Sequence, residues 1–214
     1  MVLTMQPTTI SNQQPLTLNN MEQQYIITAA SRQDAPAIAE AIMMALGDDL
    51  CASIARGKEY IPLLRTLFTD FAASEDNQYS YRNTLVAREY ATGKVVGALV
   101  AYDGANIAAW RAKFFGEANT RLGQSFSDDL PYETSAGEIY LDSLAVFPEH
   151  RGRHLARRLI EAMVERHKEG GIPLGLLVEY HKDRAQALYR SCGFTDAGEV
   201  LFIDTPMLHM VHNH

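Results

Sequence analysis

The chain has 214 residues, 47% hydrophobic and 21% charged, ordinary values for one globular domain, or one domain plus an extension, whose core needs no metal or disulfide staple. A net charge of −7 argues against broad nucleic-acid binding, and the longest apolar runs, such as residues 95–102, fall far short of a membrane span. The two cysteines lie far apart and no basic segment leads into an apolar one, so the expectation is a cytoplasmic protein with neither nucleic-acid nor membrane partners.

Residues 1–20 hold no charged side chain and are rich in Thr, Asn, Gln and Pro, which predicts a flexible leader before a domain over 21–214. A first strand is expected at 25–29. Ser31 and Asp34 then form an N-cap signature for a helix over 35–46, which Gly47 closes. A second helix begins near Tyr60, with Pro62 in its first turn and Leu64, Leu67, Phe68 and Phe71 on one face. Strands at 84–88 and 94–102 make a hairpin around Thr92-Gly93. Residues 105–137 form a less regular insertion, helical over 108–118 and acidic near Asp128, Asp129 and Glu133, of a length often used as a substrate lid. The last third alternates: strand 138–146, helix 155–168, strand 174–178, helix 184–191, then strands near 199–203 and 207–211. That order implies a βαβ crossover with parallel strands, and the fold class is mixed α/β.

The chemistry concentrates at the junction of strand 138–146 with the following helix. Arg151, Arg153, His154, Arg157 and Arg158 lie together with no acid among them, in a protein that is acidic as a whole. A helix start offers unpaired N–H groups and the positive end of a dipole. Gly152 permits close backbone approach and Ala156 keeps the start uncrowded. These residues together make an anion site. Along the strand, Glu138, Tyr140, Asp142 and Leu144 share one face by the period of two. The tail His209, His212 and His214 has metal-like spacing but belongs to a terminal strand and its end, and no metal is expected. Cys192 is read as a packed side chain.

The junction Leu144-Ala145-Val146-Phe147-Pro148 to Ala156 resembles the GNAT superfamily of acyl-CoA-dependent N-acyltransferases. Its pyrophosphate motif is Arg/Gln-x-x-Gly-x-Gly/Ala. Here Arg151 takes the first place, Leu155 and Ala156 the last two, and His154 replaces the central glycine. A second block, Asp183 to Tyr189 and on to Gly193-Phe194, is similar to the family's later helix, with Asp183 where Asn is more usual. The resemblance covers about residues 25–211 and implies a twisted mixed sheet of about six to seven strands flanked by helices.

It further implies acetyl-CoA as co-substrate. Its pantetheine arm would lie on the backbone of Leu144, Ala145 and Val146 and near Asp183, and its phosphates on Arg151, Gly152, Arg153, His154, Leu155 and Ala156. Tyr189 would be the general acid for the leaving thiolate. Glu138 or Asp142, with Glu138 slightly preferred, would take the proton of a small-molecule or peptide amine. Asp128, Asp129 and Glu133 could attract a cationic acceptor. Such folds also allow a homodimer. A non-catalytic acyl-CoA-binding regulatory module is the alternative from another class, and a nucleotide-binding α/β protein is disfavoured because the turn lies late in the chain.

Overall fold

The computed structural model describes residues 24–127 and 129–214; the expected leader, Met21 and Asp128 lie outside the described residues. The strands are β1 (Tyr25–Ala29), β2 (Thr84–Glu89), β3 (Val95–Asp103), β4 (Ile139–Val146), β5 (Leu174–Glu179), β6 (Thr195–Phe202) and β7 (Thr205–His212). They form one sheet in the order β1-β2-β3-β4-β5-β7-β6. The β4–β5 pair is parallel, as the crossover predicted, and the other pairs are antiparallel.

Helices cover both faces. On one side α1 (Ala35–Leu46), α2 (Asp48–Ala55), α3 (Ile61–Ala73) and α4 (Ile107–Leu122) enclose a core built on Ile38, Ile42, Leu64, Leu67, Phe68 and Phe114. On the other, α5 (Leu155–His167) buries Leu155, Leu159, Ile160 and Met163, and α6 (Asp183–Ser191) packs Leu188 and Tyr189 beside it. Each fully buried Leu or Ile contributes about 1.5–3 kcal/mol. Helix spacing in the sequence predicted the Leu64, Leu67 and Phe68 face of α3. One element was not predicted: α2, which starts directly after Gly47 with Asp48 and Asp49 in its first turn. Gly47, at φ 83, ends α1 and begins α2 in a single residue.

The α4 helix is no surface decoration. Its Phe114 stacks on Phe68 at 5.4 Å and meets Phe71 and Tyr79 edge-on at 5.3 Å each, so much of the predicted insertion is core.

The single-face reading of β4 needs correction. Val100 pairs with Ser143 while its neighbour Ala101 pairs with Leu141, so Asp142 is an extra residue in a β-bulge. A bulge of one residue reverses which side every later residue faces. Tyr140 therefore belongs to the α1–α4 side and Leu144 to the α5 side. Beyond the bulge β4 also parts from β5: the two pair only at Ile139 with Leu174 and Tyr140 with Gly175. The second half of β4 thus keeps β3 alone as a strand neighbour.

Candidate active site

The parted strands open towards a cleft of about 480 Å³ between the turn after β4 and helix α6. Six of the residues expected to hold the cofactor line it: Val146, Arg151, Gly152, His154, Leu155 and Ala156. The turn is shaped by left-handed backbone at Gly152 (φ 73) and again at His154 (φ 59), the residue preceding α5. The central position of the motif is therefore one where glycine is the unstrained choice, and this chain holds an exposed imidazole there. Arg151 folds back, its Nε–H donating to the Val146 carbonyl at 3.0 Å, which keeps the guanidinium at the mouth of the gap.

The basic cluster divides between two surfaces. Arg157 lines the cleft and donates to the Ser191 carbonyl and Oγ at 2.8 and 2.7 Å. Arg153 turns away, over the Tyr25 ring and towards Gln24, and Arg158 donates to the Tyr25 carbonyl. Arg153 is thus not brought to the cleft. Asp183 lines a neighbouring hollow with His181 and Lys182 rather than the cleft itself, and Leu144 and Ala145 approach it only through the β4 backbone. The opposite wall comes from Arg184, Ala187, Leu188 and Ser191 of α6, which were not predicted. Their i, i+3, i+4, i+7 spacing was the available signal, since it places them on one helix face.

Tyr189 sits between Leu188 and Ser191, with its ring turned inward, 5.9 Å from Phe194. Burial pushes its hydroxyl up to about 12, so the phenol holds its proton at any working pH. Its hydroxyl also acts electrostatically on Tyr140, across the sheet from α6.

On that other side lies a second cavity, of about 270 Å³. Asp142, Tyr140, Tyr79, Gln78, Glu133 and Arg111 form its polar end, and side chains of α2, α4, the following loop, the end of α1 and the β6–β7 turn form its apolar walls. Tyr102 Oη lies 3.0 Å from both Asp142 Oδ2 and Glu133 Oε1. A phenol has one proton, so it serves one carboxylate at a time. Arg111 pairs with Glu133, and Ser143 Oγ donates to Asp142 Oδ1 at 2.5 Å. Burial nonetheless raises the Asp142 pKa above its ordinary value, against the opposing effect of those hydroxyls and of Arg111. Tyr102 and Tyr140 are raised well above theirs by burial and by the Asp142 charge.

Glu138 is placed differently. Its carboxylate accepts from Thr134 Oγ1 at 2.6 Å and lies 2.9 Å from His209 Nε2, outside the lining of the cavity. A Cβ on Gly175 would meet the Glu138 carboxylate, so a larger residue there would push that carboxylate from its place. The other acids expected to draw a cation separate as well: Glu133 reaches the cavity and Asp129 is exposed. Cys51 and Cys192 are both free thiols.

No curated protein matches the chain. Several solved structures share its fold. An acetyltransferase crystal structure is 26% identical, with 88% of this chain and 98% of that chain covered and a TM-score of 0.67. An N-acetyltransferase from Staphylococcus aureus Mu50 is 19% identical, covering 87% and 99%, with a TM-score of 0.68. A structure described as histone acetyltransferase HPA2 and related acetyltransferase, from Corynebacterium glutamicum ATCC 13032, is 20% identical over 89% and 96%, at a TM-score of 0.61. The model of the Acetyltransferase (GNAT) family matches residues 58–194, a span that contains β4, the basic turn and α6. The chain belongs to the GNAT acetyltransferase family, whose general chemistry is acyl transfer.

Proposed function

We propose that the protein transfers an acetyl group from acetyl-CoA to a primary amine by direct attack. The observation that carries this reading is the position of the two cavities, which are lined by opposite ends of the same half-unpaired strand: Val146 lines the cationic cleft, and Tyr140 and Asp142 line the carboxylate-bearing cavity. Acetyl-CoA fits the cleft in charge, because Arg151, Arg157 and Arg184 meet there beside the N–H groups that open α5. When bound, it supplies the activated thioester. Leu144, Ala145 and Val146 would hold its arm through the edge of β4 that β5 leaves unpaired.

The chain's own groups then divide the proton work. Asp142 accepts a proton from the acceptor ammonium, freeing the nitrogen lone pair to form the new N–C bond. The C–S bond breaks, Tyr189 gives its proton to the departing thiolate, the nitrogen sheds its second proton to restore the phenol as the amide forms, and the proton held by Asp142 leaves to solvent. Asp142 is assigned as base over Glu138 because it lines the acceptor cavity and its raised pKa brings it closer to that of the proton it must take. Glu138, bound by Thr134 and His209, is assigned a supporting position beneath Tyr140. Of residues 105–137, Arg111, Phe114, Phe115, Phe126, Leu130 and Glu133 supply part of the wall of the acceptor site.

The test is a CoA-thiol release assay on a broad amine panel, with mass detection of the acetylated product. Release equal to acetyl-amine formed is the expected result. Tight acetyl-CoA binding with no acetylated amine would favour a non-catalytic acyl-CoA-binding module instead.

A further inference from the structure

Resting on that reading, we propose that the acceptor is a small monoamine with an apolar body, one aromatic ring or a branched alkyl chain, either free or as the first residue of a peptide. The walls of the acceptor cavity are Leu50, Ile54, Phe114, Phe115 and Phe126, a surface that stabilises carbon and has no hydrogen bond to offer. Its volume of about 270 Å³ suits a small body rather than an oligosaccharide or a long polyamine.

The polar end is built to meet one positive charge. Glu133 is paired with Arg111, whose guanidinium also donates to the Leu130 and Pro131 carbonyls. Asp142, hydrogen-bonded by the hydroxyls of Tyr102 and Ser143, is the remaining carboxylate of the cavity. Beside it, Gln78 is 3% exposed, and its Oε1 has no hydrogen-bond partner among the described residues. Tyr79 lines the same end of the cavity and feels the charge of Asp142. A buried acceptor without a donor is costly, and an ammonium carries three donors, enough for Asp142 and Gln78 together.

The same arrangement excludes competitors. A second ammonium, as in a polyamine, would be desolvated among phenylalanines with no counter-charge. The carboxylate of a free amino acid would face Asp142, while the Arg111 guanidinium in the same lining is already engaged by Glu133 and the Leu130 and Pro131 carbonyls. An amide or a peptide bond at that position carries no charge and escapes the repulsion.

The experiment compares kcat/KM for 2-phenylethylamine, 3-methylbutylamine, phenylalaninamide and a Phe-initiated dipeptide amide with that for spermidine, an aminoglycoside and free phenylalanine. The first group is expected to exceed the second by about 100-fold or more, the scale set by burying an unpaired charge. A dipeptide amide that outperforms the free amines identifies the source as a peptide N-terminus; the reverse order identifies a free amine. A preference for spermidine or the aminoglycoside overturns the inference while acyl transfer to amines stands. Acetyl-CoA binding without acetylation of any amine defeats both, and so separates the two failures. Leu50→Glu, at a position 47% exposed on the rim, adds a carboxylate without emptying the core. It should narrow the preference over spermidine by about tenfold, the scale of one added charge contact, and an unchanged ratio also overturns the proposal.

Discussion

Asp142 and Tyr189 are both half-buried, and desolvation sets the direction of each: a carboxyl that gives up its proton late and a phenol that keeps it. Asp142→Asn should lower kcat by about 100-fold or more, the usual contribution of a positioned base. Its effect on stability runs the other way. A folded-state pKa raised above the unfolded value means that the folded protein gains stability as pH falls and pays a desolvation cost once the group ionises. At neutral pH the neutral amide removes that cost, so urea denaturation should show Asp142→Asn as stable as the parent or more so. In the parent, kcat at saturating amine should fall on the acid side at a pH above the ordinary aspartate range, and that limb should vanish from the residual activity of the variant. Tyr189→Phe should lower kcat about 100-fold with little change in the KM for acetyl-CoA, since the ring still packs on Phe194. Tyr189 could be picked out through the family resemblance, and Asp142 only as one of two carboxylates on the strand, with Glu138 slightly preferred. Gln78, Tyr79, Arg111 and Phe115 could not. They converge from separate elements, and no spacing along the chain records that they share a cavity.

Among the elements, the turn before α5 and the bulge in β4 fix the site. His154 holds a left-handed backbone at φ 59. Leaving that conformation to glycine relieves about 1–2 kcal/mol of steric cost and loses about 0.5–1 kcal/mol to the more flexible unfolded chain. His154→Gly should therefore be neutral or slightly stabilising by thermal denaturation, whereas His154→Val, β-branched, should lower the melting temperature clearly. Acetyl-CoA affinity measured on the same glycine variant reports what the imidazole adds at the cleft. The turn was legible because its residues are contiguous. The bulge was not read, because the adjacent Asp142-Ser143 pair interrupts the alternation without telling which residue is extra, and that appears only in the register against β3. The α2 helix escaped for a related reason: Gly47 was a sound stop signal for α1, and it concealed the Asp48-Asp49 start that follows at once.

Across the whole molecule, β1, β2 and the start of α1 are tied by one buried ion pair. Ser31 donates to Asp34 through its N–H and Oγ at 2.7 and 2.9 Å, and Arg88 donates to both carboxylate oxygens at 2.8 and 2.5 Å. Burial alone would raise the Asp34 pKa, but the Arg88 and Ser31 hydrogen bonds outweigh it and the net shift is downward. A lowered folded pKa contributes stability above the unfolded value that is lost as pH falls through the folded one. Arg88→Leu should cost about 3 kcal/mol at pH 7, by leaving Asp34 buried and unpaired. It should also flatten the acid-side decline in stability, which urea denaturation below pH 5 would record.

The α/β class, the parallel crossover and most strands were legible at this scale from alternation and helix spacing. Which helices lie on which face was not, since that depends on sheet order.

The sheet separates two cores that share few side chains, one beneath α1–α4 and one beneath α5 and α6. On the proposed reading, residues that choose the acceptor would lie on the first side and residues that hold the acyl donor on the second. Substitutions can thus accumulate in one compartment without disturbing packing in the other. A lineage built on this plan can change what it acetylates while the donor half stays constant, and exchanging α2, α4 and their loop between relatives is the direct way to transplant specificity.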